Sequence, residues 1–347
     1  MRYFSTFSGI GGFELGIQQA YKTNLSLRNG TPSFTEAKTI QQGMESAPES
    51  YESRRTIPDN TSTGIAGEIL DSRPVCIGYS EIDKYAIQIY QKHFNHKNYG
   101  DITKISASTL PDFDLFVGGF PCQAFSIAGK RGGFDDTRGT LFFDIARILK
   151  EKQPRNFLLE NVKGLLSHNE GRTFKTIITT LVELGYCVEW QVLNSKNFGV
   201  PQNRERVFIV GHLGGIPRRK VFPIREADGT FNQGFDQGDT QVEITQTLRS
   251  RYGNGSGSHI VQLNQPQHSN DRIYDIEGLS PTLNTMQGGN RQPFVNVGRI
   301  RRLTPTECER LQGYPDGWTE GVSDTQRYKT LGNSVTVNVI EEIIKIL

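Results

Sequence analysis

The sequence predicts an α/β protein built on a mostly parallel sheet, with a smaller loop- and strand-rich second domain. Three observations carry this expectation. A short strand at the start runs into a glycine-rich turn and then a helix. Apolar strands alternate with amphipathic helices as far as residue 211. From 212 to 300 that rhythm stops, and Gly, Gln, Asn and Arg dominate.

The elements follow in order. Residues 2–7 read as the first strand, and Ser8-Gly9-Ile10-Gly11-Gly12 as a turn whose missing side chains let a ligand approach the backbone. A helix is expected to run from there to about Tyr21. Residues 22–73 are poor in large apolar side chains and rich in Ser, Thr, Asn, Glu, Gly and Pro. Such a stretch buries too little surface to offset its ordering entropy, so it reads as a flexible insertion. Strands are expected at 75–79, 114–119, 157–161, 188–193 and 206–210, and helices at 84–94, 140–150 and 174–184. In the second domain, 246–255 and 281–290 look alike, as a duplicated hairpin would. The last helix, 335–347, sets Val335, Val339, Ile340, Ile343, Ile344 and Leu347 on one face, which should dock on the first domain.

Composition narrows the class. The chain has 347 residues, of which 35% are hydrophobic, and 37 glycines besides. That allows an ordinary core and two domains of 1–211 and 212–300. No run of about 18 apolar residues offers a membrane span. The glycine motif follows so soon after Met1 that no signal peptide is expected, and the default compartment is the cytoplasm. Four cysteines without a CxxC pair argue against a disulfide framework or a zinc site, and no metal is expected. His93 and His96 are the one close histidine pair and read as a solvated helix face. The net charge is only +2, but cations gather late, at Arg218, Arg219 and Lys220, at Arg249 and Arg251, and at Arg299, Arg301 and Arg302. Clusters of that kind suit phosphate binding, or simply a solvated surface.

Chemistry-bearing residues fall at strand ends. Glu81 follows the second strand, where an acid either holds ribose hydroxyls or caps a helix. Cys122 stands in Gly118-Gly119-Phe120-Pro121-Cys122-Gln123, at the carboxyl end of a buried strand. No histidine lies beside it in sequence to serve as a base. Glu160 ends the next strand. Arg204 and Arg206 alternate onto one side at the start of another, facing either a shared pocket or solvent.

Six segments in order then resemble the cytosine-C5 DNA methyltransferases. They are Phe7-Ser8-Gly9-Ile10-Gly11-Gly12-Phe13, Gly119-Phe120-Pro121-Cys122-Gln123, Glu160-Asn161-Val162 and Gln202-Asn203-Arg204-Glu205-Arg206. The block from Arg302-Leu303-Thr304-Pro305 to Leu311-Gln312-Gly313-Tyr314-Pro315 and Gly332-Asn333-Ser334-Val335 complete the set. The resemblance implies a Rossmann-like sheet that binds S-adenosyl-L-methionine, a target-recognition domain at 212–300, a hinge and DNA-side segment at 301–331, and a returning helix at 332–347. It implies that Cys122 adds to C6 of a flipped cytosine, Glu160 engages N3, and Arg204 and Arg206 hold O2 and support the thiolate. The cofactor is expected on Phe7, Gly9, Gly11, Gly12, Glu81, Asp101, Ile102, Pro121, Leu141, Asn333, Ser334 and Val335. DNA contacts are expected from Gln123, Ser126, Arg138, Arg272, Gln287 and Gly288. The partner is double-stranded DNA with a short specific site, met by a monomer and protected from a restriction enzyme. Three rivals stand beside this reading: an RNA cytosine-C5 methyltransferase on the same motifs, a catalytically silent DNA-binding relative, and a glycine-rich oxidoreductase. The last has no clean GxGxxG to support it.

Overall fold

The computed structural model describes residues 1–28, 73–121, 141–214, 220–224, 260, 262–264, 271–275, 278–283, 292–297 and 300–347. Its centre is a six-stranded sheet in the order β2-β1-β3-β4-β7-β5. The strands are β1 (Arg2–Thr6), β2 (Val75–Ser80), β3 (Leu115–Gly119), β4 (Asn156–Val162), β5 (Tyr186–Asn194) and β7 (Glu205–Leu213). The first four pair in parallel, and β7 runs antiparallel to both β4 and β5. The connection from β5 to β7 carries no crossover helix, so the chain returns as a hairpin rather than adding a parallel strand.

Helices α1 (Gly12–Arg28), α2 (Lys84–His93), α3 (Leu141–Lys152) and α4 (Arg172–Glu183) join the strands. The helix α1 passes Tyr21 and ends at Arg28, so the segment from 22 begins as helix. Thr23 there donates to Glu341 at 2.9 Å, a tie to the C-terminal helix that a sequence pattern does not show. The rest of the expected insertion lies outside the described residues.

The sheet extends to Leu213, and Val221, Phe222 and Ile224 pack in the same core as Leu158 and Val210. The body built on this sheet therefore passes the expected boundary at 211. The side chains of β5 hold this strap. Glu189 accepts from the backbone of Val221 and Phe222, and Gln191 accepts from Ile224 at 2.8 Å.

Between residues 271 and 302 the described residues form two small sheets. There β10 (Phe294–Asn296) lies between β8 (Ile273–Asp275) and β11 (Ile300–Arg302), and β6 (Gln202–Asn203) pairs in parallel with β9 (Ser280–Pro281). The proposed repeat, apart from residues 281–283, falls outside the described residues. Beyond β11 come two helices, α5 (Pro305–Leu311) and α6 (Asp324–Asn333). Arg301 pairs with Glu307 at 2.8 Å and Arg302 lies over the Phe294 ring, so neither is simply a solvated cation.

The last helix, α7 (Val337–Ile346), starts two residues later than the pattern suggests. Thr336 precedes it, and Val335 stands in the turn before the helix. Val339, Ile340 and Ile343 are fully or almost fully buried against α1. Gly16 makes that packing close, since a Cβ there would stand 2.7 Å from Ile340 Cβ. The histidine pair also departs from expectation. His93 stacks on Trp318 with ring centroids 3.6 Å apart, and His96 Nδ1 meets the Tyr90 hydroxyl at 2.8 Å.

Candidate functional site at the carboxyl ends of β1, β3 and β4

The strand order reverses between β1 and β3, which makes a crevice beyond their carboxyl ends. The chain leaves β1 through Phe7, Gly9 and Gly11, all with positive φ (52°, 54° and 88°). A Cβ on Gly12 would stand 2.6 Å from the Tyr314 hydroxyl and 2.7 Å from Val335 Cγ2, so the turn presses against the 334–335 wall. Gly9 instead faces open space. Asn333 is exposed, while Ser334 is buried and shares a 2.5 Å hydrogen bond with Tyr314.

Glu81 braces this turn. Its Oε2 accepts from Gly9 N at 2.8 Å, and its Oε1 accepts from Ile82 N and Asp83 N. Asn98 holds Glu81 in turn by accepting from its N–H and donating to its carbonyl. The helix cap is Asp83, not Glu81, and Asp83 also pairs with Lys329 at 2.6 Å. Asp101 turns its carboxylate to Thr103, and Ile102 beside it is buried. A backbone turn open at Gly9, a fixed carboxylate and the 72% exposed Ile82 make a cradle that fits a nucleoside-bearing cofactor.

The second half of the crevice lies over β3 and β4. Glu160 is 8% exposed, and its carboxylate lies 3.0 Å from Arg206 Nε. A Cβ on Gly119 would stand 3.0 Å from Glu160 Oε2, so the glycine opens the space in front of that carboxyl. Burial raises the proton affinity of Glu160, and the cations of Arg206 and Arg204 oppose the rise. Asn161 donates to the Phe120 carbonyl at 2.9 Å, which ties β4 to the turn at Pro121. The next residue, Cys122, lies outside the described residues, as do Gln123, Ser126, Arg138, Gln287 and Gly288. Leu141 stands at the start of α3, and Arg272 is exposed beside β8.

The family model for C-5 cytosine-specific DNA methylase matches residues 70–347. This chain belongs to that family. It is 41% identical over 332 residues to the type II methyltransferase M1.ScrFI of Lactococcus lactis subsp. cremoris, covering 90% of this chain and 83% of that one. It is 37% identical over 282 residues to M.HhaI of Haemophilus parahaemolyticus, covering 77% and 86% respectively. The crystal structure of the S. pombe Dnmt2 methyltransferase has the same fold, with a TM-score of 0.62 at 18% identity over 100% of this chain and 98% of that one. The methylase acts on C5 of cytosine in DNA and takes its methyl group from S-adenosyl-L-methionine. Among the described residues, no helix is long and apolar enough to cross a membrane, and no cluster of potential metal ligands forms.

Arg204 is oriented differently from Arg206. It is 2% exposed, and its guanidinium donates to the carbonyls of Leu283 (3.1 Å), Gly332 (3.0 Å) and Ser334 (2.7 Å). Burial and the neighbouring Arg206 cation lower its proton affinity. Gln202 adds a bond to the Leu311 carbonyl at 2.9 Å, and the Asn203 carbonyl accepts from Thr282 at 2.6 Å. Residues 202–204 thus clasp the 282–283 segment, α5 and the 332–334 wall together. Reading the sequence by strand alternation did not reveal this, because Arg204 lies between β6 and β7 rather than within a strand. It also left unassigned Asn161, Gln202 and Ile82. The first two stand inside the family segments, which was the available signal. Only the exposure of Ile82 marks it.

Proposed function

We propose that Cys122, Glu160 and Arg206 carry the chemistry and that the turn at residues 7–12 and Glu81 hold the cofactor. The observation that carries this is the Glu160–Arg206 pair, buried beside Gly119, and Gly119 precedes Cys122 by three residues in sequence. C5 of cytosine is too weak a nucleophile alone. The Cys122 thiolate adds to C6, forming a C–S bond, and the electron pair of the C5–C6 double bond becomes available at C5. Glu160 delivers or shares a proton at N3, and Arg206 holds O2 and steadies the developing charge. Only the thiolate attacks, so the nearby cations help to form it. When bound, S-adenosyl-L-methionine supplies an electrophilic methyl group. The C5 proton then passes to solvent, the C–S bond to Cys122 breaks as the C5–C6 double bond re-forms, and N3 returns its proton to Glu160, which restores the ring and the enzyme.

Phe7, Gly9, Gly11 and Gly12 would hold the cofactor, with Glu81 on its ribose hydroxyls and Asp101 and Ile102 toward its adenine. Pro121, Leu141, Asn333, Ser334 and Val335 close the methionine side. Arg204 acts through the carbonyls it binds, as a positioning residue. Reaching C6 requires the cytosine to leave the duplex stack, which costs a few kcal/mol. Gln123, Ser126, Arg138, Arg272, Gln287 and Gly288 contact the DNA and its short recognition sequence. The enzyme works as a cytoplasmic monomer that protects DNA from a restriction enzyme.

The test is base-resolution methylation sequencing of DNA from a methylation-free bacterial strain expressing the protein, beside a Cys122→Ser control. C5-methylcytosine at one short recurring sequence, absent from the control, is the expected result. The same marks in the control would overturn the role of Cys122.

A further inference from the structure

Beneath the cofactor turn lies a carboxyl that none of these roles uses. Glu14, in the first turn of α1, has no exposed surface. Ser5 hydrogen-bonds to it, and Ser5 Oγ lies 2.8 Å from Ser8 Oγ, so a chain of hydroxyls joins Glu14 to the start of the glycine turn. From the other side the Tyr90 hydroxyl donates to Glu14 Oε1 at 3.1 Å and also meets His96 Nδ1 at 2.8 Å. Glu14 Oε2 is buried and has no hydrogen-bond partner among the described residues. A carboxylate held this way is costly to bury without a compensating positive charge.

We propose that Glu14 is a positioning residue that selects the donor over the product. Its ionised form favours the cationic sulfonium of S-adenosyl-L-methionine over the neutral thioether of S-adenosyl-L-homocysteine at the turn it supports. This rests on the placement of the cofactor at residues 7–12. The sulfonium is the one feature of charge that distinguishes donor from product, and a buried anion beneath the turn responds to charge rather than shape. Burial pushes the Glu14 carboxyl up to about 7, so its charge changes near neutrality.

The groups that face it do not change in the same range. Tyr3 from β1, Cys76 and Tyr79 from β2, Tyr90 from α2 and Tyr314 beyond α5 are all pushed up by burial and keep their protons. Burial pushes His96 down, which leaves it neutral above its ordinary range. Glu81 faces Glu14 from beyond β2 and is common to every variant below. A bound cation draws the proton from Glu14, so affinity for the donor rises as pH passes through about 7, whereas affinity for the product does not.

The test is calorimetric titration of the intact protein with each ligand between about pH 6 and 8.5. Wild type, Glu14→Gln and Tyr90→Phe are compared by the ratio of product Kd to donor Kd. In wild type the ratio is expected to rise by roughly tenfold across the range. In Glu14→Gln it stays flat. In Tyr90→Phe the rise moves to higher pH, because the Glu14 anion loses a donor. A ratio independent of pH in wild type, or the same rise in Glu14→Gln, overturns the proposal. If Glu14→Gln does not fold, an unmoved rise in Tyr90→Phe overturns it. Failure of wild type to bind either ligand overturns the placement of the cofactor itself.

Discussion

At Glu160, burial raises the proton affinity of the carboxyl and two guanidinium groups oppose the rise, while the residue stays paired with Arg206. Glu160→Gln preserves shape but removes both the proton exchange and the ion pair. Methyl transfer should fall by roughly 10²- to 10⁴-fold. Single-turnover transfer to cognate duplex measures this, and an unchanged rate removes Glu160 from the mechanism. Glu14 makes a separate prediction about stability. Its folded-state affinity for a proton is raised, from an ordinary 4.5 to about 7. The stability it contributes is therefore fully present below about pH 4.5 and is lost as pH rises through about 7. Each unit corresponds to about 1.4 kcal/mol, so wild type should lose on the order of 3 kcal/mol relative to Glu14→Gln over that window. Denaturant midpoints of both proteins at pH 5 and pH 8 read this directly, and parallel pH profiles would refute it. The position of Glu160 at a strand end was legible in the sequence. Its electrostatics were not, because they depend on Arg206 across the β4–β7 ladder, where Val162 and Arg206 are paired.

At the level of elements, two joints hold the site. The first is the clasp at residues 202–204. Arg204→Ala leaves three backbone carbonyls without their donor, and at about 1 kcal/mol or more for each, several kcal/mol of stability should be lost. Affinity for DNA and for cofactor should weaken together, because Leu283 and Ser334 are held by the same guanidinium. Binding titrations of each ligand separately check this, and a loss confined to one of them refutes the shared clasp. The second joint is the packing of α7 on α1. Ile340→Ala should cost about 2–5 kcal/mol, and Gly16→Val should be comparably damaging because its Cβ would enter Ile340. Thermal unfolding of both variants tests the pair. The apolar face of α7 could be read from its spacing. The close approach at Gly16 could not, because a helical glycine has no signature that tells contact from chance.

For the whole molecule, two predictions concern how the parts combine. Much of the affinity for DNA should come from cations on phosphates, so it should fall steeply with salt. A log–log plot of Kd against salt, with a slope near zero, would reject that account. Deleting residues 30–70 and bridging the ends with a short glycine-serine link should leave activity within roughly tenfold, since the segment is poor in core-forming side chains. The deletion begins beyond Arg28 because α1 extends that far and Thr23 is tied to α7. An insoluble product would show that the insertion is structural.

By itself the sequence determined the α/β rhythm, the order of the segments and the residue types at the strand ends. These depend on local periodicity and on the backbone freedom of glycine, which act over a few neighbouring positions. Tertiary structure alone decided that β7 turns antiparallel, that Arg204 clasps carbonyls while Arg206 pairs with Glu160, and that Glu14 Oε2 lies buried with no hydrogen-bond partner among the described residues. Hydrogen bonds and charges of this kind link residues far apart in sequence, 76 positions at Tyr90–Glu14 and 318 at Thr23–Glu341, and their strength depends on burial that only the assembled core provides.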